Sequence, residues 1–107
     1  MVHLVLENHI IIDRPKDSAH PHYPEIIYPL DYGYLENTTA SDGGGIDVWL
    51  GTQDPKMLTG ILCTFDTLKH DMEIKLLISC TNEDLQIIQK FHGEMYILYI
   101  PNPEVNP

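Results

Sequence analysis

Four acids, one lysine and a pair of closely spaced histidines carry most of the chemistry this chain offers. Asp42 and Asp47 bracket the run Gly43-Gly44-Gly45, so the chain can fold back and aim both carboxylates at one point. Asp66 sits near the end of one alternating apolar run, and Glu73 opens the next, in phase with Lys75. Two carboxylates about 4 Å apart repel by roughly 4 kcal/mol at an effective dielectric of about 20. A divalent cation removes that cost. Oxygen donors without an organised Cys/His set suit Mg²⁺, with Mn²⁺ as its substitute, rather than zinc. The same acids, at turns and strand ends, also fit plain solvated positions. His20 and His22 in HPHYP titrate near neutrality. They read either as metal ligands or a proton acceptor, or as an exposed pair in a Pro-rich loop. Gly43 to Gly45 read either as a nest of amides for phosphate or as a simple turn.

The elements that must position these groups are short. Val2 to Asp13 is rich in Val, Leu and Ile and predicts two strands, or one strand bent at Asn8. In the next stretch Pro15, Pro21, Pro24 and Pro29 forbid a helix, which leaves ordered loop and short strand. Alternation predicts strands at Ile46 to Leu50, Leu58 to Thr67 and Glu73 to Ser79. One helix follows: Thr81 fits the N-cap, Glu83 and Asp84 the first turn, and Gly93 the stop. Leu85, Ile88 and Phe91 give it an apolar stripe. Met95 to Ile100 is a last strand, and PNPEVNP is a tail. Five or six short strands with Gly and Pro between them favour a small closed or partly open barrel.

Composition narrows the function classes. The 107 residues hold 6 Lys+Arg against 16 Asp+Glu, a formal charge of −10. Nucleic acid and anionic membrane surfaces both select clustered Lys and Arg, so neither is expected as a partner. No apolar run approaches the ~20 residues of a membrane span, and MVHLVLENHIII lacks a basic lead-in. Cys63 and Cys80 have no CxxC partner and read as buried thiols on strands. The expectation is one cytoplasmic, acidic domain over residues 1–107, with enough apolar content for self-association. His3, His9, His70 and His92 show no partner spacing and read as surface or strand residues. Trp49 shares a face with Asp47 and reads as the floor of a pocket or as core or subunit packing. Tyr28 and Tyr34 read as structural.

Three runs in order, DRPK (13–16), YPLDYGYLENT (28–38) and SDGGGID (41–47), resemble family I soluble inorganic pyrophosphatases. That family's core reads Asp-Arg, then Tyr-Pro-x-Asn-Tyr-Gly-Tyr, then Asp-Gly-Asp-Pro-x-Asp. Gly60-Ile-Leu to Asp66 and Glu73-Ile-Lys75 are similar to its Gly-Val-Leu…Asp and Asp-x-Lys strands, so the likeness runs over roughly 13–77. The resemblance implies an OB-like twisted barrel of five or six strands with one C-terminal helix. It implies Asp42, Asp47 and Glu73 as ligands of an activating metal, and Asp66 as ligand of a substrate-linked one. Arg14 and Lys75 would grip phosphate, and Tyr32 would reach a phosphate oxygen or the attacking water. The implied reaction is Mg²⁺-dependent hydrolysis of pyrophosphate or another small phosphoanhydride.

Several positions depart from the family pattern. Gly44 stands where the family places its general base, and Gly45 where it has Pro. No Lys precedes Arg14, Thr67 follows Asp66, and the helix ends KFHG without the family's Tyr-Lys pair. These losses leave a second expectation, a module that binds metal-bound diphosphate or a nucleotide without turnover. An OB-type nucleic-acid binder is suggested by fold alone and opposed by the charge.

Overall fold

The computed structural model describes residues 8–40, 43–54, 56–93 and 95–104. Asp42, His3 and the Val2–Glu7 part of the first expected strand lie outside them. Among the described residues there are six strands and one helix: β1 (Ile10–Arg14), β2 (Asp31–Leu35), β3 (Asp47–Leu50), β4 (Leu58–Asp66), β5 (Asp71–Ile78), α1 (Asn82–His92) and β6 (Tyr96–Pro101). The strands form one mixed sheet in the order β1-β2-β3-β5-β4-β6. All neighbours are antiparallel except β3 and β5, which run parallel. The described residues are therefore mainly β, with one helix among them. The sheet is not closed into a barrel: β1 and β6 are its two edges among the described residues.

Alternation divides the side chains between two apolar groups, one on each face. Trp49, Leu62 and Leu77 join Tyr28, Leu30, Cys80 and Ile88, with Leu85 and Phe91 of α1 packed against them. Val48, Leu76 and Ile78 meet Leu35 and Leu58 on the other face, flanked by Ile10, Ile46, Leu50 and Ile61. This covering of both faces explains why β3 reads DVWL: Val48 and Trp49 are adjacent in sequence and both fully buried.

Strand β2 has no counterpart among the strands expected from sequence. Its pattern, DYGYL, is broken by Gly33, and Gly33 is there because β1 passes close by. A Cβ at that position would run into the Ile11 carbonyl oxygen. The Pro/His-rich segment folds back on itself as a short hairpin. Asp17 N–H donates to the Tyr28 carbonyl at 2.7 Å and His20 N–H to that of Ile26 at 2.8 Å. Lys16 N–H donates to the Asp31 carboxylate at 2.8 Å and ties the hairpin to β2.

Helix α1 begins and ends where the sequence places it. Thr81 Oγ1 accepts from Asp84 N–H at 3.0 Å, and the Asp84 carboxylate accepts from Thr81 N–H at 3.0 Å, a reciprocal cap. The same carboxylate oxygen accepts from the N–H and hydroxyl of Thr52, at 2.9 and 2.8 Å. Gly93, at φ 57°, closes the helix in a conformation that favours glycine. The described helix is too short to cross a membrane.

Candidate functional site

Register brings residues far apart in sequence onto one patch of the α1 side of the sheet. Asp47 on β3 lies beside Lys75 on β5, and Tyr32 on β2 lies opposite Trp49 on β3. Glu73 is two residues before Lys75 and so points to the same face. The Lys75 ammonium donates to the Tyr32 hydroxyl at 2.7 Å, to Glu73 Oε2 at 2.9 Å and to Asp47 Oδ2 at 3.3 Å. It also lies 5.1 Å from the Tyr32 ring centroid. A lysine has three N–H protons, and all three are taken.

Burial and charge set the protonation of this group. The Lys75 side chain is only 5% exposed. Burial alone would lower its pKa, but Tyr32, Glu73 and Asp47 outweigh it, and Lys75 is held firmly charged. Burial pushes the Tyr32 hydroxyl well above its ordinary range, so it stays protonated. Burial also raises the Asp47 carboxyl, against the pull of Lys75 and the Tyr32 hydroxyl.

Tyr32, Glu73 and Lys75 of this cluster form one wall of a cleft of about 470 Å³, while Asp47 is not among its lining residues. Its other walls come from the hairpin (His20, Tyr23, Tyr28), from the end of α1 (Phe91, His92) and from Lys69. Trp49 stands behind the wall as packing, with Tyr32 at 4.7 Å and Phe91 at 5.3 Å between ring centroids. Its indole N–H donates to His92 Nε2 at 3.1 Å. Burial, then the charge of Lys75, lowers the His92 pKa to about 4, so the imidazole is neutral and available as acceptor. The expectation that His92 is a surface or strand residue is thus corrected: it is a cleft residue on the helix. The four-residue step from Ile88 to His92 keeps both on one helix face, and that was the signal available in the sequence.

The remaining expected site residues are placed as follows. Arg14 sits directly across from Tyr32, and such cross-strand pairs share a face. Its guanidinium donates to the Asp13 carbonyl at 3.1 Å and lies 3.8 Å from the Asp13 carboxylate. Asp66 bonds the β4–β5 turn rather than the Lys75 ammonium: its Oδ1 accepts from Leu68 and Lys69 N–H at 2.9 and 3.1 Å. His22 does not line the cleft, whereas His20 does. His20 Nδ1 accepts from the N–H groups of His22 and Tyr23, at 3.1 and 3.2 Å. In the neutral ring the proton therefore sits on Nε2, which makes His20 a donor rather than a base. In the Gly-rich turn, Gly43 N–H is spent on the Ala40 carbonyl at 3.0 Å, which removes one amide from a phosphate nest. Asp47 and Glu73 carry the hard oxygen donors that a divalent cation takes, and both are part-exposed, at 30% and 44%. No three His, Cys, Asp or Glu side chains are grouped as a metal centre among the described residues.

The chain matches no protein-family model, and no curated protein gives a significant match to it.

Proposed function

We propose that the chain binds a small phosphoanhydride, inorganic pyrophosphate in the simplest case, in the Lys75 cleft and hydrolyses it slowly with Mg²⁺. One observation carries this reading. Tyr32, Asp47, Glu73 and Lys75, singled out by a motif resemblance from separate stretches of chain, meet around one ammonium group. The OB-like barrel implied by the resemblance belongs to the same proposal. Its support is that β1 to β5 all contribute to the apolar group opposite α1, which requires a strongly curled sheet.

Asp47 and Glu73 would hold the metal, and the motif adds Asp42. Bound Mg²⁺ supplies positive charge against the phosphates and a more acidic water. Lys75 supplies a permanent charge for the anion, whose oxygens compete with Asp47 and Glu73 for its protons. The Tyr32 hydroxyl and His20 Nε2–H line the same space. Arg14, on the strand beside Tyr32, adds a second cation on leaving Asp13. Gly44 provides no carboxylate to accept a proton from water. General-base help contributes about 10²–10⁴-fold, and turnover is slow without it.

A second reading, binding without turnover, is favoured by the cleft wall. Tyr23, Tyr28 and Phe91 line a volume in the ~300–1,000 Å³ range of organic-ligand sites, which suits a nucleotide better than bare pyrophosphate. Phosphate release from pyrophosphate with Mg²⁺ separates the two. The first reading expects slow release that falls about tenfold in Tyr32→Phe, the loss of one hydrogen bond to a charged group. Calorimetric binding of pyrophosphate or a nucleotide with no release supports the second. Neither release nor binding refutes both.

A further inference from the structure

The face of the sheet opposite α1 continues past its buried half into open, uncharged surface. Register sets Met72, Phe65 and Tyr96 in one cross-strand row of β5, β4 and β6, and Ile74, Cys63 and Leu98 in the next. A third row, Leu76, Ile61 and Ile100, leads into the core. No charged side chain interrupts these nine positions. The acids of the same hairpin, Asp66, Asp71 and Glu73, alternate onto the other face.

Most of this surface is exposed: Tyr96 by 70%, Met72 and Leu98 by 60%, Ile74 by 55%, Ile100 by 46% and Phe65 by 38%. At about 150–250 Å² for a large side chain, these fractions leave on the order of 600 Å² of apolar surface. That is the upper end of what a monomer's largest patch shows, and near the ~800 Å² per partner of a standard interface.

From this patch we propose that the β5-β4-β6 face is a homodimer interface, its occupant a second copy of the same chain. Two features select a second copy over a different partner. The face carries no charge for a foreign surface to read, although the chain as a whole is at −10. It is also self-complementary, because β4 runs down its middle. A two-fold axis along β4 sets Met72 against Tyr96 of the second copy, Ile74 against its Leu98, and Phe65 and Cys63 against their own counterparts. Stacked sheets lie about 10 Å apart, too far for a disulfide between the two Cys63 residues but within reach of a short bismaleimide. Cys80 is buried and its thiol is pushed up to about 12, so Cys63 alone reports.

The test is sedimentation equilibrium on the whole chain up to about 100 µM, a range that detects micromolar dimers. The expected mass is twice 12.2 kDa, with bismaleimide crosslinking that disappears in Cys63→Ser. Leu98→Glu and Ile74→Lys, both at exposed positions, should each keep the circular dichroism of the fold. Each should raise the dissociation constant at least about a hundredfold, because a two-fold interface carries the change twice. A monomer throughout the range overturns the proposal and leaves the face to another partner or another part of the chain. A dimer untouched by both substitutions also overturns it, by placing the contact elsewhere.

Discussion

Replacing Lys75 by Met tests whether one buried ammonium is what allows Asp47 and Glu73 to sit together. Methionine keeps most of the aliphatic stem that packs beside Tyr32, so the loss reads charge more than volume. Removing one partner of a buried ion pair costs about 3–5 kcal/mol. Here Asp47 and Glu73 are 30% and 44% exposed, and water takes over part of the work. The expected cost at neutral pH is about 1–3 kcal/mol. The pH dependence has a definite sign. Burial already raises the Asp47 pKa above its ordinary 3.8, with Lys75 the main restraint, and without Lys75 it rises further. A raised carboxyl pKa penalises the fold above that pKa and not below the unfolded value. The gap between wild type and Lys75→Met is therefore widest near neutrality and closes as the solution is acidified towards 3.8. Urea unfolding followed by Trp49 fluorescence, at about pH 7 and about pH 4.5, measures both numbers. Equal stability of the two proteins at both pH values would refute the reasoning, since Lys75 would then hold no acids in place.

Asp47→Asn should weaken Mg²⁺ or Mn²⁺ binding by calorimetry with the fold intact; an unchanged affinity would put the metal elsewhere. Gly44→Asp should raise phosphate release up to the ~10²–10⁴-fold of a general base. His92 is buried neutral with a pKa near 4 against an ordinary 6.5. Its contribution is complete above 6.5 and is lost as pH falls towards 4, so His92→Gln should flatten acid destabilisation in that window. Asp84→Ala should cost about 1–3 kcal/mol in thermal or urea unfolding, because it orphans the N–H groups of Thr52 and Thr81 along with the cap.

What could be read from sequence followed from strong local patterns. The alternation of β4 set Leu62 opposite Ile61, and that of β5 set Leu77 opposite Leu76, as found. Thr81 and Gly93 bounded α1 because cap chemistry is local. Strand β2 was illegible because its glycine answers to a neighbouring backbone, which no window on DYGYL contains. The open sheet was likewise invisible, since strand count and turn density do not decide whether β1 meets β6. For the candidate site, Tyr32 was named through the motif resemblance, and Asp47, Glu73 and Lys75 through residue spacing as well; their contacts then depended on the parallel register of β3 and β5. Asp66 was named by the same spacing and resemblance, and His20 by residue type. Their actual bonds, to turn amides, are set by local backbone geometry that spacing does not encode.

The single parallel ladder has a further consequence. It is the only strand pairing that joins the β1-β2-β3 half of the described sheet to the β5-β4-β6 half. Tyr32 and Asp47 ride on the first half, Glu73 and Lys75 on the second, so the cleft lies on a seam. The β4–β5 hairpin closes over residues 67–70 alone, whereas the seam closes only after residues 51–70 have been laid down and turned back, at a higher cost in chain entropy. Both apolar groups straddle this ladder, Trp49 with Leu77 on one face and Val48 with Leu76 on the other. Parting it would therefore open both cores and unseat the Lys75 cluster in one event, so the integrity of the cluster reports on the integrity of the fold.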